Sequence, residues 1–128
     1  MVVAGCTTDA TDDAVQANIV AVGYSAPPTP HCTEVGRSAC YHDSPGARIM
    51  GDVVVASSSM TRGMCMEACF GRGKRLAGVE DGGQCMCGDA LDATAVPSTN
   101  CTKLCPGSSL EHCGGYMAIN VLNFTCGV

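Results

Sequence analysis

Thr61-Arg62-Gly63-Met64-Cys65-Met66-Glu67-Ala68-Cys69-Phe70-Gly71 and, further on, Gln84-Cys85-Met86-Cys87-Gly88 are the two stretches that decide the fold. In the first, Thr61 is a candidate N-cap, Met64, Cys65, Ala68 and Cys69 recur at helical spacing, and Gly71 and Gly73 supply the stop. A helix is predicted here, with Cys65 and Cys69 on one face. Gln84–Gly88 follows Leu76–Val79 across the turn signal Glu80-Asp81-Gly82-Gly83, which predicts a hairpin. Strand residues two apart share a face, so Cys85 and Cys87 point together as well. Two parallel bridges between these pairs would staple the helix to the hairpin.

Working outward, Ala39–Asp43 and Asp52–Ala56 read as strands separated by Ser44-Pro45-Gly46. A loop containing Pro97 and Pro106 follows the hairpin, and Tyr116–Phe124 reads as a closing strand. Upstream, Ser25-Ala26-Pro27-Pro28-Thr29-Pro30 disfavours both helix and central strand and marks an extended linker over 25–30. Before it, Thr11 can cap a helix over about 12–22, with Val15, Ile19 and Val22 on one face and Gly23 as the C-terminal stop. The rival reading of this segment is a strand through Asn18 to Tyr24. The organisation expected is a 1–35 extension packed on a 36–128 domain.

Eleven cysteines in 128 residues argue for an oxidising compartment, and hence for a secreted or cell-surface protein. Aromatic residues are limited to Tyr24, Tyr41, Tyr116, Phe70 and Phe124, so a Val, Ala, Leu, Ile and Met core needs cross-links of about 2–4 kcal/mol each. The net charge of −5 makes nucleic acid an unsuitable partner. Arg72, Lys74 and Arg75 read as a solvated turn that complements the preceding helix dipole, with an anion or acidic-glycan patch as the rival. Asn100-Cys101-Thr102 and Asn123-Phe124-Thr125 are N-glycosylation sequons, which makes Asn100 and Asn123 candidates for modification. Met1–Ala4 is too short for a signal h-region, so the chain is expected to be mature protein behind an added or residual start. No stretch approaches transmembrane length.

With these residues in place, the chain from about 36 to 124 resembles the WSC domain, a cysteine-rich module of fungal cell-wall stress sensors, secreted fungal oxidases and glucanases, and animal Kremen receptors. The resemblance rests on Ala39-Cys40-Tyr41-His42-Asp43, Arg48-Ile49-Met50, Cys65 to Cys69, Ala77-Gly78-Val79-Glu80, Gln84-Cys85-Met86-Cys87-Gly88, Cys101 to Cys105 with Gly107, and Cys113-Gly114-Gly115. It implies bridges Cys40–Cys101, Cys65–Cys85, Cys69–Cys87 and Cys105–Cys113. Cys6, Cys32 and Cys126 lie outside the family set, and Cys32–Cys126 is the favoured extra pair. Gln84, Met86 and Ser108 stand where the family usually has an acid, an aromatic and Asn. The Ser/Thr-rich stalk and membrane span of the sensors are not seen in the sequence, and no enzyme domain is expected. The fold expected is α+β: a small disulfide-rich antiparallel sheet, a helix stapled to it by two disulfides, and the N-terminal helix packed on it.

Clustered cysteines could instead bind metal, with His31, His42 or His112 adding ligands, but zinc pairs converge on one ion and no subset here leaves the bridge framework intact. No metal or other cofactor is expected. Catalysis finds no constellation either: Glu80 and Asp81 are sequence neighbours that point apart in an extended segment, and Pro106-Gly107-Ser108-Ser109 lacks a nucleophile elbow. What the resemblance implies is carbohydrate binding by a secreted, fungal, lectin-like protein. Sugars stack on aromatic faces and bond planar polar groups, which selects Tyr41, His42, Asp43, Arg48, Glu80, Gln84, Tyr116 and Asn120. Structural alternatives stand beside these, namely Tyr41 as core, Asp43–Arg48 as an ion pair and Tyr116 packed on the Gly-Gly turn. So few rings suit a short, branched or terminal glycan of cell-wall or glycoprotein origin, and a homodimer is expected to supply avidity through an edge strand or the odd cysteine. The alternatives are a sugar-independent protein-binding effector or immunomodulator, and a detached cell-wall-targeting module of a larger enzyme.

Overall fold

A computed structural model describes residues 30–45 and 48–127. The helix expected over 12–22 and nearly all of the 25–30 linker lie outside them. The described chain runs β1 (His31–Glu34), β2 (Ala39–His42), β3 (Val53–Ala56), α1 (Arg62–Gly71), β4 (Leu76–Glu80), β5 (Gln84–Gly88), β6 (Leu104–Cys105), β7 (Ser108–His112) and β8 (Ala118–Gly127). A single antiparallel sheet takes the order β1-β8-β4-β5-β3, with β2 also paired to β8, and β6–β7 form a separate hairpin. This is the small, disulfide-rich α+β architecture expected.

Each element follows from its sequence. Thr61 caps α1 by accepting a hydrogen bond from the Met64 amide at 3.0 Å, and after Gly71 the Arg72 and Lys74 amides return to the Cys69 carbonyl. Between β4 and β5, Asp81 and Gly82 take φ of 52° and 83°, a left-handed conformation that Gly adopts freely and Asp tolerates. The closing strand starts two residues later than the sequence reading and ends three later, because Phe124–Gly127 pair with β1. Strand β1 and the β6–β7 hairpin are elements that the periodicity did not signal.

Strand alternation divides the core into two layers. Ala77, Val79, Cys85 and Leu122 face α1, where they meet Met60, Cys65, Met66 and Cys69. On the opposite face Met86, Ile119 and Val121 pack with Ile49, and Tyr41, Met50, Leu76, Leu91 and Ala95 close over them. Five disulfides cross-link the described chain, Cys32–Cys126, Cys40–Cys101, Cys65–Cys85, Cys69–Cys87 and Cys105–Cys113, and all but Cys40–Cys101 lie in the layer under α1. The two bridges from α1 run to one face of the hairpin, in the pairing the family resemblance implies. The eleventh cysteine, Cys6, lies outside the described residues. Arg62 ties α1 to the rest: its Nη1 donates to both Glu34 carboxylate oxygens at 3.0 and 3.1 Å, and its Nε donates to the His112 carbonyl at 2.7 Å.

Candidate functional site

The sheet brings several of the predicted residues to one end. His42 pairs with Ala118, Glu80 pairs with Ile119, and the Asp43 amide donates to the Met117 carbonyl at 2.9 Å. The tail of β2, the tip of β4 and the turn before β8 are therefore joined. Tyr116, in that turn, is 72% exposed, and Met117 beside it has φ of 52°, where a side chain other than Gly is strained. The turn is tight because the neighbouring glycines are enclosed: a Cβ on Gly115 would overlap the Asn100 carbonyl, and one on Gly114 would overlap the Val79 carbonyl.

Behind this rim lies a buried charge cluster. Asp43 accepts the Ile49 amide at 2.9 Å and Arg48 Nη1 at 3.0 Å, so the loop after β2 is folded back on its own carboxylate. The same Arg48 nitrogen lies 3.5 Å from Glu80 Oε1. Glu80 is only 5% exposed, and that oxygen has no hydrogen-bond partner among the described residues. Burial pushes the Glu80 carboxyl up from 4.5 to about 8, reinforced by its hydrogen bond to Asp43 and by the charge of Asp43, while Arg48 opposes the rise. One guanidinium thus serves two carboxyls, with Asp43 the nearer.

Above Arg48 opens a pocket of about 170 Å³ lined by His42, Ser44, Arg48, Ile49, Asp92, Thr94 and Val96. The 92–96 wall was not anticipated, although Asp92-Ala93-Thr94 carried a signal. It forms an Asx turn in which Asp92 accepts the Thr94 amide at 2.8 Å and its hydroxyl at 2.6 Å, and these bonds lower the Asp92 carboxyl. Of the predicted residues, His42 and Arg48 line the pocket, Asp43 and Glu80 sit beneath it, and Tyr116 is on the adjoining turn. Tyr41 is half-buried against the second core layer, as its structural alternative had it. Gln84 lies opposite Glu80 across the hairpin. Asn120 does not join them: it pairs with Val79 on the other face, and its Oδ1 accepts the Gly114 amide at 2.8 Å, which holds the Gly-Gly turn. Asn100 and Asn123 are both exposed.

The ligand atoms of Cys65, Cys69 and Cys85 come within 4.8 Å of one another, the one such cluster among the described residues. All three sulfurs are already spent in bridges, so their proximity is that of two neighbouring disulfides. No described helix is long and apolar enough to cross a membrane.

Residues 37–115 match the WSC domain family, across more than half of the chain. The chain belongs to the WSC domain family. This WSC chain is 33% identical over 85 residues to xylosyltransferase oxt of Drosophila pseudoobscura pseudoobscura, which is 64% of the chain but 10% of that protein. It is 31% identical over 101 residues to Kremen protein 2 of Homo sapiens, covering 77% of the chain and 22% of that protein. A WSC domain-containing protein of Arthroderma benhamiae is 34% identical over 80 residues, or 60% of the chain and 11% of that protein. The chain thus spans between a tenth and about a fifth of the length of these relatives. The similarity to a xylosyltransferase is confined to that short stretch.

Proposed function

We propose that this WSC chain is an extracellular, non-catalytic carbohydrate-binding protein that reads a short, branched or terminal glycan at the sheet end around Arg48 and Tyr116. The observation that carries this reading is the combination of an exposed tyrosine ring with a small pocket that mixes Ile49 and Val96 with His42, Asp92 and Thr94 around a fixed guanidinium. An aromatic face suits the apolar C–H patch of a sugar, and Arg48, His42 and Thr94 suit its hydroxyls. At about 170 Å³ the pocket is below the usual range for enclosed ligands, which supports capture of one terminal unit over grip along a polymer. Five disulfides support an oxidising extracellular setting.

Fungal or plant cell-wall polysaccharides and glycoprotein glycans are the intended ligands. A homodimer would raise avidity, through the outer edge of β3, where Val53 is exposed, or through a bridge between Cys6 residues. A glycan array tests the reading: specific signals should appear and vanish under the competing free sugar. Signals that ignore competitor would instead favour a sugar-independent protein-binding module. That second reading is supported by Leu104 and Leu110, both exposed on the β6–β7 hairpin.

A further inference from the structure

Strand β8 outruns its neighbour on one side. Its Ile119–Asn123 stretch pairs with β4, ending at Leu76 opposite Asn123, whereas Phe124–Gly127 pair only with β1 on the other side. Before Leu76 the chain lies off the sheet, and the Arg75 amide donates to Asp89 Oδ1 at 3.3 Å. The Val35 amide donates to the Asn123 carbonyl at 2.8 Å, so the backbone groups of Asn123 and Thr125 face β1. Those of Phe124 and Cys126 face the other way, where the described residues offer them no backbone partner. Beside this open edge, on the face that carries α1, lies a hollow of about 480 Å³ lined by Phe70, Lys74, Arg75, Phe124 and Cys126 among others. Its walls are chiefly apolar, and Phe70 is exposed. The opposite face of the same edge is mixed, with Arg75, Asn123 and Thr125 beside Val35 and Leu76.

Charge marks the same corner. Arg48, Arg62 and Lys103 are each held by a carboxylate, of Asp43, Glu34 and Asp81 respectively. Arg72, Lys74 and Arg75 follow α1 into the corner, and among the described residues the one carboxylate in an ion pair with them is Asp89, 3.5 Å from Lys74. We propose that Phe124–Gly127 take up an extended segment of a partner protein as an added strand, one that alternates apolar and acidic residues. Each observation selects a part of that ligand. The outward N–H and C=O groups of Phe124 and Cys126 call for donors and acceptors spaced as in a strand, which neither an oligosaccharide nor an acyl chain supplies. A helix has spent its own along its length. Apolar side chains on one face of the added strand enter the hollow and meet Phe70 and Phe124, while the intervening acidic ones lie on the Thr125 face. Arg75 borders both faces, so it serves the acidic positions without leaving the hollow. The added strand also covers an edge that invites unwanted pairing. This end of β8 is the one remote from Ala118 and the glycan site, and the proposal does not rest on that site.

Selection from a random peptide library displayed on phage, against the full 128-residue chain, tests this. Enriched peptides should alternate apolar and acidic residues. One of them, synthesised with blocked ends, should slow exchange of the Phe124 and Cys126 amides at least about tenfold in residue-resolved measurements. Methylating alternate backbone nitrogens of that peptide should weaken binding at least about tenfold for the set that faces β8 and leave the other set little changed. This readout leaves the protein itself unaltered. Lys74→Ser with Arg75→Ser should weaken binding by a similar factor and flatten its salt dependence, with the urea midpoint unmoved. Failure to enrich any alternating peptide would overturn the proposal. So would binding indifferent to methylation of either set, slowing of the two amides by oligogalacturonate in place of the peptide, the mark of a second sugar site, or slowing by raised protein concentration alone, the mark of a second copy.

Discussion

Replacing Glu80 by Gln should flatten the pH dependence of stability across the neutral range. The carboxyl moves from 4.5 to about 8 on folding, chiefly through burial and then through Asp43, so the folded state holds its proton where the unfolded state releases it. The stability linked to that proton is fully present below pH 4.5 and is lost as pH rises towards 8. At about 1.4 kcal/mol per pH unit, the ceiling on the loss is about 5 kcal/mol. Water entry and a shift of Arg48 towards the ionised carboxylate reduce it, so a loss of about 2–5 kcal/mol is expected between pH 4.5 and 8.5. With a urea slope of about 1–3 kcal/mol/M, that moves the midpoint by at least about 0.7 M. Urea titrations at pH 4.5, 6.5 and 8.5 would measure it, with free thiol alkylated beforehand to prevent exchange at the high end. Glu80→Gln, a neutral isostere of the protonated side chain, should match the parent at pH 4.5 and exceed it at pH 8.5. Parallel pH curves for the two proteins would refute the reasoning and make Glu80 an ionised partner of Arg48 throughout.

Tyr116→Ala should weaken binding of any array-selected sugar at least tenfold while shifting the urea midpoint little, since the ring is mostly solvent-facing; calorimetric titration with that sugar reads it. Gly115→Ala should cost about 3 kcal/mol or prevent folding, because the new methyl would meet the Asn100 backbone, whereas Gly36→Ala, in open space at φ of 74°, should cost about 1 kcal/mol. Denaturation of both variants makes the comparison. Cys65→Ser with Cys85→Ser removes a bridge between α1 and β5 inside the core, and should lower stability by about 2–5 kcal/mol in the same assay.

The sequence made α1 and the β4–β5 hairpin legible because capping, cysteine period and turn chemistry all agreed at Thr61, Cys65, Cys69 and Asp81-Gly82. Strand β1 was hidden because His31-Cys32-Thr33-Glu34 has little apolar pattern of its own and is held by its partner β8 and by Cys32–Cys126. The β6–β7 hairpin was hidden for a similar reason: Leu104 and Leu110 are exposed, so no alternation marks a buried face, and the bridge Cys105–Cys113 substitutes for one. At the site, Asp43 and Arg48 could be paired from residue chemistry, but the Asp92–Val96 wall arrives from a distant loop. Asn120 shows the limit of residue type as a guide. A carboxamide suits a sugar hydroxyl and a buried turn amide equally, and only the face of the strand distinguishes the two uses.

The stretch that identifies the family stops at residue 115, yet the strand that touches β1, β2 and β4 begins at Ala118. A fragment trimmed to the matched residues would lose the centre of the sheet together with Ile119, Val121 and Leu122, and with it β1 and the whole Cys32–Cys126 bridge. The recognisable half of this domain is thus its cysteine-stapled shell, and the least distinctive residues in the chain are its spine. Boundaries for expression or domain grafting belong after Gly127, however clearly the signature ends before it.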